Sequence, residues 1–351
     1  MTNKLKGLSL FSSAGIGETY IGNYVEMKVA NELLKNRSEI YNFFYPNTQM
    51  INGDITNDII YKKILDISIK ENVDFIYATP PCQSFSKAGK QLENDERDIL
   101  FLYILKISNI IKPKYIIIEN VPEFIKLNIK INNIETNVLN EIQNILGTEY
   151  IINYKILNTA DFETAQNRKR SIILISKKTE HIWNFPNKKH PLITVRDTIG
   201  HLPSLKNNEK NNIHPFHFSK KHNEKHILWM SHTPTGKTAF ENEIHFPQKD
   251  GRKIKGYNTT YKRIEWDKPA PTITMANGSI SSQNNVHPGR KNLDGTYSDA
   301  RVLSIYELIL LTGLQKTWEP PKVSDNLIRQ ILGECVPPKL IYNLVKELFI
   351  C

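Results

Sequence analysis

Of the residues able to do chemistry in this 351-residue chain, Cys82 is the best placed. It closes the run Ala78-Thr79-Pro80-Pro81-Cys82, directly after the apolar stretch Phe75-Ile76-Tyr77. A thiol at the carboxyl end of a strand, on a turn stiffened by two prolines, is held where open α/β folds bind their ligands, and there it can serve as a nucleophile. A buried, inert cysteine is the alternative that residue type alone leaves open. Glu119 ends a second apolar run, Tyr115–Ile118, and precedes Asn120-Val121-Pro122. Alone it reads as a polar strand terminus; on a strand beside that of Cys82 it becomes an acid able to hold or deliver a proton. Gln166-Asn167-Arg168-Lys169-Arg170 precedes a last strand. Alternate residues of an extended segment project together, so Gln166, Arg168 and Arg170 are expected on one side. A guanidinium near the cysteine would lower its pKa, while a solvated basic turn is the competing interpretation.

These groups need strands that end at a common edge, and the first half of the chain supplies them. Leu8–Phe11 and Val25–Ala30 read as strands with a helix between them, Asp58–Lys70 as a helix, and Phe75–Ala78 as a buried strand. Ile99, Leu102, Tyr103, Ile107 and Ile110 trace a helix face stopped by Lys112-Pro113. Tyr115–Ile118, Val138–Leu146, Tyr150–Leu157 and Ser171–Ser176 complete a strand, helix, strand, strand series. Repeated βα units require a mainly parallel sheet covered by helices on both faces, an α/β doubly wound fold. The turn Phe11-Ser12-Ser13-Ala14-Gly15-Ile16-Gly17 allows close backbone approach to a ligand. Glu32 follows the second strand, where a carboxylate accepts from ribose hydroxyls, and Gly53-Asp54-Ile55 follows the third, where Asp54 can accept from an adenine amino group. The third glycine of G-x-G-x-x-G is replaced by Tyr20, which argues against a pyrophosphate-bearing nicotinamide cofactor.

Charge divides the chain. Lys and Arg number 46 against 36 Asp and Glu, a net charge of +10. Within 177–300 the corresponding numbers are 20 and 11, so nearly all the excess lies there, together with all ten histidines. A neutral catalytic part, 1–176 plus 325–351, and a basic part, 177–324, facing a polyanion are the expected division. Trp183, Trp229, Lys253, Lys255, Tyr257, Tyr261, Arg263 and Trp266 mix cations with aromatics as phosphate contact and base reading require, and Ser231–Lys237 is the expected recognition loop. His214, His217, His222 and His226 lack companion cysteines, so no metal is expected. Three scattered cysteines suit a reducing cytosol, and no secretory signal or membrane-spanning run is read in the sequence.

The ordered motifs Phe11–Gly17, Asn31-Glu32, Gly53-Asp54-Ile55, Pro80-Pro81-Cys82-Gln83, Arg97, Glu119-Asn120-Val121, Gln166–Arg170 and Gly333–Pro338 together resemble those of the cytosine-C5 DNA methyltransferases. The resemblance runs from the first strand to the C-terminus, apart from the middle of the basic segment. It implies a Rossmann-like S-adenosylmethionine-dependent fold with a smaller target-recognition domain, a cytosine in duplex DNA as substrate and S-adenosylhomocysteine as product. Phe11, Ala14, Gly15, Ile16, Gly17, Glu32, Leu33, Asp54, Ile55 and Pro81 would then meet the cofactor, and Gln83, Ser86, Arg97, Asn120 and Gln166 the DNA. Ser13 and Glu334 depart from the usual glycine and asparagine of their motifs.

Cytosine C5 is a poor nucleophile until a thiolate adds to C6, which assigns that attack to Cys82; Glu119 would handle the proton at N3. The resemblance gives Arg168 the support of thiolate and base carbonyl, and Arg170 the holding of Glu119 or the pocket wall. Ser84–Asp98 reads as a loop that closes over a cytosine rotated out of the stack. A monomeric cytoplasmic enzyme of a restriction-modification system is the expected setting, and whether a cognate restriction endonuclease accompanies it is not legible in the sequence. An RNA-directed relative, an inactive DNA-binding module and a nicotinamide-dependent oxidoreductase are the alternatives, in that order.

Overall fold

The computed structural model describes residues 4–81, 100–131, 134–187 and 190–350. Cys82, Gln83, Ser86 and Arg97, with the loop expected over 84–98, lie outside the described residues. The chain forms two compact units, one of Met1–Asn158, Lys169–Lys189 and Ile341–Cys351, the other of Thr159–Arg168 and His190–Leu340.

Unit 1 carries a seven-stranded sheet. Its strands in chain order are β1 (Leu5–Leu10), β2 (Val25–Glu32), β3 (Gln49–Asn52), β4 (Phe75–Ala78) and β5 (Tyr115–Asn120); a separate small hairpin, β6 (Asn128–Ile131) with β7 (Ile134–Asn137), precedes β8 (Tyr150–Asn158) and β9 (Lys169–Lys177). The sheet order is β3-β2-β1-β4-β5-β9-β8; the first five are parallel and β9 runs antiparallel to both neighbours. Every residue of β4 and β5 is buried, which is why Phe75–Ala78 and Tyr115–Ile118 are continuous apolar runs rather than alternating ones, with the polar pair Glu119 and Asn120 only at the end of β5. Order reverses between β1 and β4, the switch point beyond whose carboxyl ends such sheets bind ligands. Helices α1 (Lys35–Phe44), α2 (Asp58–Lys70), α3 (Phe101–Ile111) and α4 (Val138–Leu146) flank the sheet. Asn57 and Asn137 cap α2 and α4, their side chains accepting from backbone N–H groups of the first turn. Ile104 and Ile107 of α3 and Ile142 and Leu146 of α4 share one core with Leu8, Val29, Ile76, Ile116 and Ile118.

The helix expected between β1 and β2 is absent from the structure. A single 3-10 turn, Ile16–Glu18, stands there. Gly15, Gly17 and Gly22 crowd a short connection and make helix continuation unfavourable.

Unit 2 has little regular structure: α5 (Val195–Ile199), α6 (Glu224–Ser231), a hairpin of β10 (Gln248–Lys249) and β11 (Arg252–Lys253), α7 (Ile305–Leu311), α8 (Asp325–Glu334) and the first residues of α9 (Pro338–Lys346). It is held by buried arginines. Arg301 bonds Glu307 through both terminal nitrogens (2.8 and 2.9 Å) and Asp299 at 2.8 Å. Arg263 donates to the carbonyls of Met230, His287, Ser298 and Asp299, and Arg329 to Asn277 and Leu303. Burial alone would raise the carboxyls of Asp299 and Glu307, yet Arg301 and His287 hold both below the usual range, Glu307 at about 2.

The division differs from the charge-based one. The segment around Trp183 is basic but belongs to unit 1: the buried indole packs on Phe75 and Tyr115 and donates to the Leu344 carbonyl at 2.8 Å. Helix α8 falls in unit 2, where Arg329 anchors it, and Thr159–Arg168 joins unit 2 as well.

Candidate active site

The turn after β1 is wound by three left-handed residues, Phe11, Ser13 and Gly15, with φ of 59°, 46° and 71°. A Cβ on Gly15 would lie 2.4 Å from the Tyr45 ring and one on Gly17 2.4 Å from the Tyr77 hydroxyl, so this turn is wedged between aromatic side chains. Tyr45 also donates to the Gly15 carbonyl at 2.7 Å. Glu32, ending β2, receives the backbone N–H of Ser13 on one oxygen and that of Leu34 on the other, both at 2.8 Å, which ties the first two strand ends together. Asn31 donates to the carbonyls of Ile51 and Gly53 and adds the third. Asp54 accepts from the backbone and hydroxyl of Thr56, while Leu33 stands 60% exposed between them in sequence. Ala14, Ile16 and Ile55 are buried beneath this edge, and Pro81 is half-buried at the end of the turn after β4. All ten residues expected at the cofactor therefore follow or end β1 to β4.

Sequence reasoning passed over a buried acid in the same turn. Glu18 accepts hydrogen bonds from Ser9 and from Tyr41, the latter at 2.7 Å. Burial pushes its carboxyl up to about 7, against the downward pull of those two bonds. The signal was available: a lone carboxylate inside the stretch Ile16–Ile21 must find hydrogen-bond donors once that stretch is buried.

The strands of Cys82 and Glu119 are neighbours, with Ala78 in register with Ile118. Asn120 donates to the Pro80 carbonyl at 2.8 Å and accepts from the Val121 N–H at 2.8 Å, which clamps the proline turn to the end of β5. Glu119 is buried, and Arg170 meets it with its Nε 2.8 Å from Oε1. Because β9 is antiparallel to β5, its first residues arrive beside the last residues of β5, Asn120 opposite Ser171. That reversal alone brings Arg170 to the acid.

Gln166 and Arg168 meet different partners from Arg170. Gln166 and Arg168 lie in unit 2, where Arg168 donates to the carbonyls of Ile273, Gly333 and Glu334 at 2.9 to 3.0 Å and Gln166 accepts from the Ile273 N–H. Arg170 belongs to unit 1.

Comparison with known proteins decides the family. The model of the C-5 cytosine-specific DNA methylases matches residues 5–350. The type II methyltransferase M1.HgaI of Avibacterium volantium is 49% identical, over 99% of each chain. M1.HphI of Haemophilus parahaemolyticus is 30% identical over 95% of this chain and 83% of its own. The chain belongs to the C-5 cytosine-specific DNA methylases. A solved structure of the methyltransferase EhMeth of Entamoeba histolytica shares the fold, with a TM-score of 0.67 at 17% identity over 99% of this chain and 98% of its own. Methylation of cytosine C5 in DNA is thus the activity of this family member, and RNA is the less supported substrate.

One of the two departures of the methylase from its family's motifs has a local explanation, and at the other the contact is made by the backbone, which any residue supplies. Ser13 stands where glycine is usual, yet it adopts the left-handed conformation and uses its N–H to hold Glu32. Glu334 presents its backbone carbonyl to Arg168. Several residues expected to touch DNA serve the interior instead: Trp183, Trp229, Arg263 and Trp266 are buried. Thr233 is buried within the expected recognition loop, where it bonds the Trp229 carbonyl and Asn242. Three of the four histidines considered as ligands are engaged inside unit 2: His214 stacks on Tyr306 at 3.9 Å, His226 lies against Trp229 and Tyr261, and His217 sits between Ser304 and the Pro203 carbonyl. Among the described residues no group of three or more His, Cys, Asp or Glu is arranged to hold a metal ion, and no helix is long and apolar enough to cross a membrane.

Proposed function

We propose that this methylase transfers a methyl group from S-adenosylmethionine to C5 of a cytosine rotated out of duplex DNA, through a covalent bond from Cys82 to C6. The observation that carries the reading is the buried ion pair of Glu119 and Arg170 at the end of the strand next to the one that leads to Cys82. The cofactor supplies an electrophilic methyl group. Glu32 and Asp54 offer acceptors at adjacent strand ends and Leu33 an exposed apolar surface, a set that fits ribose hydroxyls, an exocyclic amine and a purine face. The left-handed turn Phe11–Gly17 gives the backbone its close approach.

Cys82 follows Pro81 directly and attacks C6 as the thiolate; once the methyl group has passed to C5, loss of the C5 proton expels the thiolate and restores the ring. Glu119 holds a proton at cytosine N3, so that the charge entering the ring is shared; Arg170 fixes the carboxyl for that contact. Asn120 keeps the proline turn in place by its bond to the Pro80 carbonyl. Arg168, its guanidinium fixed by three carbonyls, serves the thiolate and the base carbonyl. Gln83, Ser86, Arg97 and Gln166 contact the DNA, the loop 84–98 closes over it, and unit 2 selects the sequence. Type II relatives support a restriction-modification setting; a cytoplasmic monomer acting beside a cognate restriction endonuclease is part of the same proposal.

The test is to incubate the chain with tritiated S-adenosylmethionine and separate DNA and RNA pools and to map methylcytosine. Label in duplex DNA, its loss in Cys82→Ala and the loss of trapping by 5-fluorocytosine DNA are the expected results. A trapped adduct in Cys82→Ala would refute the nucleophile assignment, and label confined to RNA would refute the substrate.

A further inference from the structure

The hairpin of β10 and β11 is the least protected element of the described chain. From Gln248 to Asn258 every residue is exposed, on both faces of the ribbon. Its reversal is built by Asp250 and Gly251, both left-handed with φ of 50° and 75°, the two-residue turn whose twist suits a tight hairpin. The register places Lys249 directly opposite Arg252 and Gln248 opposite Lys253, and the Ile254 N–H donates to the Pro247 carbonyl at 3.0 Å. Like charges directly opposed across a strand pair oppose its formation, and an isolated two-stranded ribbon is marginal in water. Lys249, Arg252, Lys253 and Lys255 make no ion pair among the described residues; Lys253 lies 4.9 Å over the Phe246 ring. The base of the ribbon is firm. Gly256 packs so closely on Phe240 that a Cβ would lie 2.1 Å from its ring, and Phe240 in turn meets Tyr261 edge-on.

A solvent-surrounded ribbon that carries Lys249, Arg252, Lys253 and Lys255 against the single carboxylate of Asp250 calls for a polyanion, and a two-stranded ribbon has the width to enter the major groove of duplex DNA. We propose that Gln248–Lys253 reads the base edges of the target from that groove, with Arg252 specifying a guanine and Lys249, Lys253 and Lys255 meeting phosphates. Arg252 has the planar fork that matches O6 and N7 of guanine; the lysines are point charges suited to phosphate oxygens. The inference rests on the DNA-methylation reading and identifies which part of unit 2 carries its sequence choice.

The experiment compares the full chain with Arg252→Ala and Arg252→Lys on a library of randomised DNA duplexes, mapping every methylated cytosine. The unaltered chain should show a defined site containing a guanine at fixed spacing from the cytosine. Both variants should lose preference for that guanine by about 5- to 150-fold, with other positions unchanged and thermal stability intact, since the residue is exposed. Full discrimination restored by Arg252→Lys, or an equal loss of rate on all sequences, would overturn the assignment by reducing Arg252 to a phosphate contact. No methylation of any duplex by the unaltered chain would overturn the underlying reading, and the hairpin's role with it, before any substitution is made.

Discussion

Unit 1 is a sheet whose buried strands are almost wholly apolar, whereas unit 2 is organised around three fully buried arginines that bond carboxylates and backbone carbonyls. The first solution gathers its polar groups at strand ends, where they bond the turns along the edge that faces ligands. The second consumes its polar groups inside. A charged residue therefore means different things in the two units: Glu119 and Arg170 lie at the end of a strand beside the proline turn, while Arg301, Glu307 and Asp299 hold short elements together.

That contrast predicts opposite kinds of damage. Replacing Glu119 by Gln should leave the fold of unit 1 in place but slow methyl transfer by roughly 100- to 10,000-fold, as removal of a general acid-base group does. Single-turnover rates measure it, and a normal rate would return Glu119 to the status of a polar strand end. In unit 2, Arg301→Met should cost about 3–5 kcal/mol because Asp299 and Glu307 remain as buried charges without their partner. Urea unfolding compares it with Ile118→Val in unit 1, expected at about 0.5–1.5 kcal/mol; equal costs would dissolve the distinction.

Glu18 is the exception on the apolar side. Its carboxyl stands at about 7 when folded, above the ordinary 4.5. Between these values the folded chain holds a proton that the unfolded chain has released, so stability falls as pH rises from 4.5 to about 7 and is level above. Glu18→Gln should remove that decline, on the order of 3 kcal/mol across the window, in denaturation curves taken at pH 5 and pH 8. Parallel curves for the two proteins would show that the buried carboxyl is ionised throughout.

The same contrast explains what could be read beforehand. Phe75–Ala78 and Tyr115–Ile118 were legible because a strand buried on both faces admits only apolar residues, and the groups just past them had to lie at one edge. The resemblance offered Arg170 either Glu119 or the pocket wall; what brings it to Glu119 is the antiparallel entry of β9, which periodicity does not encode. Unit 2 resisted reading. Its arginines counted as surface charge, and its histidines invited a search for ligands, because side chains that bond distant carbonyls leave no periodic trace. The helix expected before β2 failed for a simpler reason, three glycines in a short connection.

Unit 2 is interrupted: Thr159–Arg168 enters it before β9, and His190–Leu340 completes it afterwards. A chimera that exchanged only the long segment between relatives would keep the native Arg168 but set it against foreign carbonyls in place of Ile273, Gly333 and Glu334. Grafting both pieces together preserves those three bonds, so the practical module for recombining this protein is discontinuous, with four junctions: at 158/159, 168/169, 189/190 and 340/341.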